Sequence, residues 1–273
     1  MKNKLAKITL NYLRILAKLQ LLKIKPRHIV GITGSAGKST CREIIYAILS
    51  SKYSVKQSST GNSESGIPLD ILGLRMRNYS VGDWLRVCLL APWQLLTNWE
   101  RYEIYIVEMG IDGLQEPKNM EYLLKILRPD IAVILNVLLV HTEFFGNLEN
   151  IAREKFKIIE ALPVGGLGII NKDDPLLVQL AKKGGQKNIH FFGRSGKINL
   201  PNYFWHEGLA YTVGAALKVG EILGIEKQEA VKVLESGGLK LPPGRGTIIP
   251  GIKDTIIIDS SYNSSPEPAA ELS

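Results

Sequence analysis

The sequence predicts an α/β fold: a mostly parallel sheet with helices on both faces, of the P-loop nucleotide-binding kind. Three observations point there. Short β-branched runs alternate with helix-period segments from Arg27 onward. The strand runs are continuously apolar, as strands covered on both faces are. A glycine-rich loop joins the first of these strands to the helix after it.

In order, residues 28–33 read as a strand and residues 39–49 as a helix with Ile44, Ile45, Ile48 and Leu49 on one face. Further strands are expected at 103–107, 130–135, 167–170, 189–192 and 255–258, and helices at 120–127, 148–162, 175–182, 209–223 and 227–234. Ligands of such sheets gather at the carboxyl ends of the strands. The exits carry Gly34, Glu108, Asn136 with His141 close behind, Asn171 with Asp173 and Asp174, and Asp259. Asn and Asp are also ordinary turn formers and caps; their presence at nearly every exit is what suggests one site.

The chain has 273 residues, 45% hydrophobic and 22% charged, which excludes a disordered or collagenous protein. Its two cysteines, Cys41 and Cys88, lie far apart, so a disulfide scaffold is excluded and a reduced, cytoplasmic setting is expected. The net charge is +8, but residues 1–25 carry seven basic side chains and no acid, which leaves the remainder near neutrality. That balance gives no phosphate-backbone footprint, and no nucleic acid partner is expected.

Within residues 1–26, Leu5, Ile8, Tyr12, Ile15, Leu16, Leu19 and Leu22 recur at three- and four-residue steps, as in a basic amphipathic helix. Charges interrupt it, so it does not span a bilayer. It either packs on the domain that follows or makes peripheral contact with an anionic membrane surface, the inner face for a cytoplasmic protein. Residues 84–96 are apolar too, but short and broken by Arg86 and Pro92, and are not a span.

The loop from Thr33 through Gly34, Ser35, Ala36, Gly37, Lys38 and Ser39 to Thr40 fits T-G-x-x-G-K-[ST]-[ST], although Ile32 breaks the commoner G-x-x-x-x-G-K-[ST] spacing. Its small residues let backbone N–H groups turn toward phosphate, Lys38 reaches the outer phosphates, and the Ser39 hydroxyl suits Mg²⁺. Lys155 stands inside the apolar stripe of helix 148–162, four residues after Ile151 and three before Ile158. A lysine there either snorkels outward along its stem or is buried, and burial favours the neutral amine.

The loop resembles that of the Mur ligase family, ATP-dependent amide-forming enzymes of cell-wall precursor synthesis, and the resemblance runs over residues 27–268. Residues 60–69 look like the family's substrate-side loop, residues 106–110 like its strand ending in a metal-binding glutamate, and residues 136–146 like the segment supplying a metal-binding histidine. Residues 171–174 resemble its adenine-side N-x-D-D element. Gly244, Arg245 and residues 259–266 resemble its phosphate- and ribose-contacting closing elements, and Tyr262-Asn263-x-x-Pro266 has the form of its D-alanyl-D-alanine-adding branch.

The resemblance implies a family central ATP-binding domain over 27–258, with 259–273 as the start of a C-terminal ligase domain, so that the chain is expected to be a fragment that binds nucleotide but ligates poorly. It implies ATP and Mg²⁺ as cofactors, and as substrates a UDP-sugar-peptide and an amino acid or dipeptide such as D-alanyl-D-alanine. Lys38, Lys155, His141 and Arg245 become the catalytic candidates. Ser39, Glu108, His141 and Lys155 become the metal set, with Lys155 carbamylated by CO₂. Asn171 and Asp259 join the loop and Arg245 as nucleotide contacts. Without the family, Arg245 is equally a surface turn residue after Pro242-Pro243-Gly244. The alternative is a non-catalytic or regulatory nucleotide-binding protein: GTPase-like, because Asn171-Lys172-x-Asp174 fits a guanine-reading pattern, or a membrane-surface module.

Overall fold

The structure, a computed structural model, describes residues 2–59, 61–139, 142–185, 188–237 and 239–261. The chain begins with α1 (Lys2–Ile24), β1 (His28–Thr33), α2 (Lys38–Leu49), β2 (Val55–Gln57), α3 (Gly66–Ile71), α4 (Val81–Thr97) and β3 (Ile104–Glu108). It continues through α5 (Met120–Ile126), β4 (Ile131–Ile134), α6 (Thr142–Phe145), α7 (Leu148–Glu160), β5 (Leu167–Asn171) and α8 (Pro175–Gly184). The last elements are β6 (Ile189–Phe192), α9 (Glu207–Ile222), α10 (Lys227–Glu235), β7 (Thr247–Pro250) and β8 (Ile256–Asp259).

Six strands form one parallel sheet in the order β2-β3-β1-β4-β5-β6. Alternation along each strand divides the apolar residues between two cores, which is why the strands read as continuously apolar. Tyr105, Val107, Ala132, Ile134 and Ile170 face α1, α3, α4, α5, α7 and α8 on one side. Ile104, Ile106, Ile131, Val133 and Ile169 face α2, α9 and α10 on the other. The chain lays β2 and β3 to one side of β1, then β4, β5 and β6 to the other. The reversal opens a crevice at the carboxyl ends of the strands flanking β1, where doubly wound sheets place their ligands.

Residues 84–96 lie in α4, started by Ser80, whose hydroxyl accepts from Asp83 N, and finished at Asn98. Two expectations are corrected. Residues 255–258 are not part of the parallel sheet: β8 pairs antiparallel with β7, Thr247 opposite Asp259, in a separate two-stranded ribbon. The N-terminal helix does pack on the domain, but with another face. Leu13 and Ala17 are fully buried against α3, α4 and α5, whereas Leu5, Ile8, Ile15, Leu19 and Leu22 of the expected stripe are exposed.

Candidate functional site

The strand exits converge. A cleft of about 930 Å³ is lined by the loop Gly34–Thr40, by Glu108 at the end of β3 with Gly110 and Asp112 beyond it, and by Asn136 after β4. Lys155 of α7, Asn171 at the end of β5 with Asp173 beyond it, the first turn of α9, and Gly244 with Arg245 before β7 complete the wall.

The loop takes its shape from Asn136. The Asn136 Oδ1 accepts from Ser35 N and Ala36 N, each at 2.9 Å, and its amide donates to the Ala36 carbonyl at 3.3 Å. Those two loop N–H groups therefore point into the protein, not into the cleft as the composition of the loop had suggested. The donors left for a ligand are the first-turn N–H groups of α2, which have no acceptor within the helix. Gly37 makes the turn into α2 at φ +80°, and a Cβ there would stand 2.8 Å from the Thr212 Cγ2. Both the dihedral and the clearance call for glycine. Thr33 departs from expectation: it is fully buried at the end of β1, outside the cleft lining, and its hydroxyl has no hydrogen-bond partner.

Lys38 curls back over the loop, its ammonium donating to the Gly34 carbonyl at 2.8 Å. Burial lowers its pKa, opposed by Glu108 and Asp112 and reinforced by Arg245. Glu108 is 4% exposed and engaged on both oxygens. Arg42 Nη1 lies 2.8 Å from Oε1, and the Ser39 hydroxyl donates to Oε2 at 3.0 Å. Arg245 Nη2 reaches the same Ser39 oxygen at 3.2 Å across 206 residues of sequence, which places it in the site and not on a surface turn.

Lys155 is 2% exposed and borders the cleft; it does not snorkel outward. Its pKa falls well below the usual lysine value because burial disfavours the ammonium and Lys38 repels it, with Asp112 pulling the other way. Lys157, on the same helix, pairs with the buried Glu154 at 2.7 Å.

Asn171 is committed to the fold at the rim. Its amide donates to the Leu135 carbonyl at 3.2 Å, and its Oδ1 accepts from Asp173 N at 3.0 Å. Asp174 Oδ1 accepts from Leu176 N and Leu177 N to cap α8, while its Oδ2 accepts from Val137 N at 2.9 Å. Asp259 ends β8, where Ser261 N and the Ser261 hydroxyl donate to its carboxylate and hold its pKa below the usual range. Ser260, not Asp259, borders the cleft. His141, Thr60 and residues 262–266 lie outside the described residues. Among the described residues, no group of three His, Cys, Asp or Glu side chains gathers as a metal site.

Asn62, within the 60–69 segment singled out by the sequence, is packed against Gly110, where a Cβ would lie 2.7 Å from its side chain. Sequence reasoning missed three contributors. Arg42 sits one turn into α2, gives no motif signal, and bears on the cleft through Glu108. His206 and Tyr211 enter the lining because α9 begins at Glu207, two residues before its apolar period becomes visible.

The profile of a family described as "Mur ligase middle domain" matches residues 32–233. A UDP-N-acetylmuramoyl-tripeptide–D-alanyl-D-alanine ligase of Bacillus subtilis is 29% identical over 288 residues, covering 94% of this chain and 54% of that protein. The corresponding ligase of Synechocystis is 27% identical, covering 88% of this chain and 50% of its own length. The chain thus spans about half the length of the curated relatives it matches. Among solved structures, the MurF ligase of Thermotoga maritima in complex with ADP superposes with a TM-score of 0.75 at 27% identity, over 96% of this chain and 60% of that one. MurF of Acinetobacter baumannii has the same fold, with a TM-score of 0.74 at 22% identity over 94% of this chain and 56% of its own.

Proposed function

This chain belongs to the Mur ligase family, and from that premise we propose that its cleft binds ATP with Mg²⁺ and serves the carboxylate-activating half of a peptidoglycan-precursor ligase. The observation that carries the reading is the geometry at the N-terminus of α2. Its unsatisfied first-turn N–H groups, the Lys38 ammonium and the Arg245 guanidinium stand around the Ser39–Glu108 pair, with Arg42 holding Glu108 from behind. Helix N–H groups with two fixed cations beside them suit the outer phosphates of a triphosphate. The ADP complex of the Thermotoga relative supports an adenine nucleotide.

The residues fit a magnesium ion. The Ser39 hydroxyl and the Glu108 carboxylate are hard oxygen donors already in mutual contact at 3.0 Å, beside the loop that receives phosphate. Ser39 and Glu108 would hold the ion, together with Lys155 as a carbamate and with His141. When bound, the ion neutralises phosphate charge and polarises the transferring phosphoryl group. A carbamate at Lys155 resolves an otherwise awkward arrangement, because it exchanges a buried amine facing Lys38 for an anionic oxygen ligand. Its depressed pKa supplies the neutral amine that CO₂ requires.

In the reaction proposed, a carboxylate of a UDP-sugar-peptide attacks the γ-phosphorus of ATP, giving an acyl phosphate and ADP. An amine such as that of D-alanyl-D-alanine then attacks the acyl carbon and phosphate leaves. The protein's part in the first stage is positioning and charge neutralisation. Lys38 and the α2 amides hold the outer phosphates, Arg245 stands over Ser39, and Arg42 fixes the Glu108 carboxylate. The test is titration calorimetry of this chain with ADP and with a non-hydrolysable ATP analogue, with and without Mg²⁺ and against guanine counterparts. Magnesium-dependent adenine binding that exceeds guanine binding is expected. Equal or stronger guanine affinity, or none for either, overturns the proposal.

A further inference from the structure

Helices α1 and α4 lie side by side over the same core. Leu13 and Ala17 of α1 and Val87 and Ala91 of α4 are buried in one cluster. The Tyr12 hydroxyl donates to the Cys88 carbonyl at 3.0 Å, and further along both helices Gln20 Nε2 donates to the Asn98 carbonyl at 2.9 Å. The two helices therefore run in the same direction. Both carry a second apolar stripe on the opposite face. In α1 it comprises Ile8, Ile15, Leu19 and Leu22; in α4 it comprises Leu85, Leu89, Trp93 and Leu96, each offset by two residues, or about 200°, from a buried or half-buried position. All eight are exposed, Leu89 at 78% and Trp93 at 63%. Because the buried faces share one core, the exposed stripes share one outer surface.

The two helices present no exposed acid, and Glu100, exposed just beyond Trp99, is paired with Lys56. No acid occurs in residues 1–25, and Lys7, Lys18 and Lys25 are exposed beside the α1 stripe. The one acid of α4, Asp83, is buried and paired with Arg86 at 2.7 Å. Trp99, at the end of α4, is exposed with the Lys23 ammonium 4.4 Å from its ring centroid, an aromatic–cation pair suited to a headgroup layer. Among the described residues no helix is long and apolar enough to cross a bilayer.

We propose that the outer face of the α1–α4 pair docks this protein onto an anionic lipid surface, with the leucines and Trp93 entering the acyl boundary and the lysines meeting lipid phosphates. Charge selects this occupant over a second copy of the chain: a two-fold interface through the same patch would set lysines against lysines. The surface lies on the sheet face opposite α2 and α9, so the inference stands apart from the nucleotide reading.

The test is co-sedimentation of the whole chain with phosphatidylcholine vesicles, with and without phosphatidylglycerol, at low and high salt. Binding is expected only with phosphatidylglycerol and should weaken as salt rises. Lys18→Gln should weaken it about fivefold, the equivalent of ~1 kcal/mol per lysine near an anionic surface. The double variant Leu89→Ser, Trp93→Ser should abolish it while leaving the circular dichroism spectrum and unfolding temperature unchanged, since both side chains are exposed. Three results overturn the proposal: no binding to anionic vesicles, undiminished binding by the double variant, or a dimer in sedimentation velocity that the double variant dissolves.

Discussion

Asn136→Ala isolates the device that shapes the phosphate loop. Three hydrogen bonds involve this side chain. Ser35 N keeps a fallback, because it also donates to the Asn136 main-chain carbonyl at 3.2 Å. The Ala36 N–H loses its acceptor outright. One orphaned donor and one weakened bond amount to about 1–2 kcal/mol at a partly buried site. In the free protein the loop relaxes toward water and recovers most of that, so the cost falls on the bound state, where the loop must be reordered. The expected outcome is a nucleotide dissociation constant raised about 5–30-fold, with the unfolding temperature lowered by no more than roughly 2–4 °C. Calorimetric titration with ADP and Mg²⁺ alongside a thermal melt reads both. An unchanged dissociation constant, or a fall in unfolding temperature large enough to account for lost binding, would refute the argument.

Other perturbations probe the rest of the site. The folded pKa of Lys155 lies well below its unfolded value, so between the two the unfolded chain binds the extra proton and stability rises with pH. In CO₂-depleted, metal-free buffer Lys155→Met should therefore raise the unfolding temperature at neutral pH and flatten its climb into the alkaline range; an unaltered profile would count against burial of the amine. With ¹³C-bicarbonate, NMR should detect a carbamate carbon in the parent chain and none in Lys155→Gln. Glu154→Ala strips the acceptor from Met120 N at 2.9 Å and the partner from Lys157, at a cost of about 2 kcal/mol measured by denaturant unfolding. Lys38→Met should weaken nucleotide affinity by at least tenfold, on the order of 1.4 kcal/mol, with the fold intact by circular dichroism.

What was legible in the sequence follows from what periodicity and spacing encode. The inner strands β1, β3, β4 and β5 were visible because each is apolar on both faces, and the loop because glycine, lysine and serine there have few substitutes. Lys155 stood out because a charge on an apolar helical stripe violates the pattern. β2 was invisible: three residues at a sheet edge, Val-Lys-Gln, carry no apolar run. Residues 255–258 show the converse limit, since a short run of isoleucines records the strand but not its partner: the ladder to β7, closed by Gly246 N donating to the Asp259 carbonyl at 2.8 Å, makes the ribbon that delivers Arg245.

The N-terminal helix is the instructive failure. Its three- and four-residue spacing selected the stripe with the most leucine and isoleucine, and the core took the neighbouring face, built on Leu13, Ala17 and a buried Gln20. A helix that contacts α3, α4 and α5 at short range needs small residues where the backbones approach, and Ala17 serves that better than any leucine. The larger side chains were then left outside, aligned with those of α4. Read as one pattern with a single core in view, α1 looked like an ordinary surface helix drawn in the wrong register. Read as two stripes on two helices, the sequence specifies one face for the domain and one for something else, and the absence of acid from α1 narrows what that partner's charge must be.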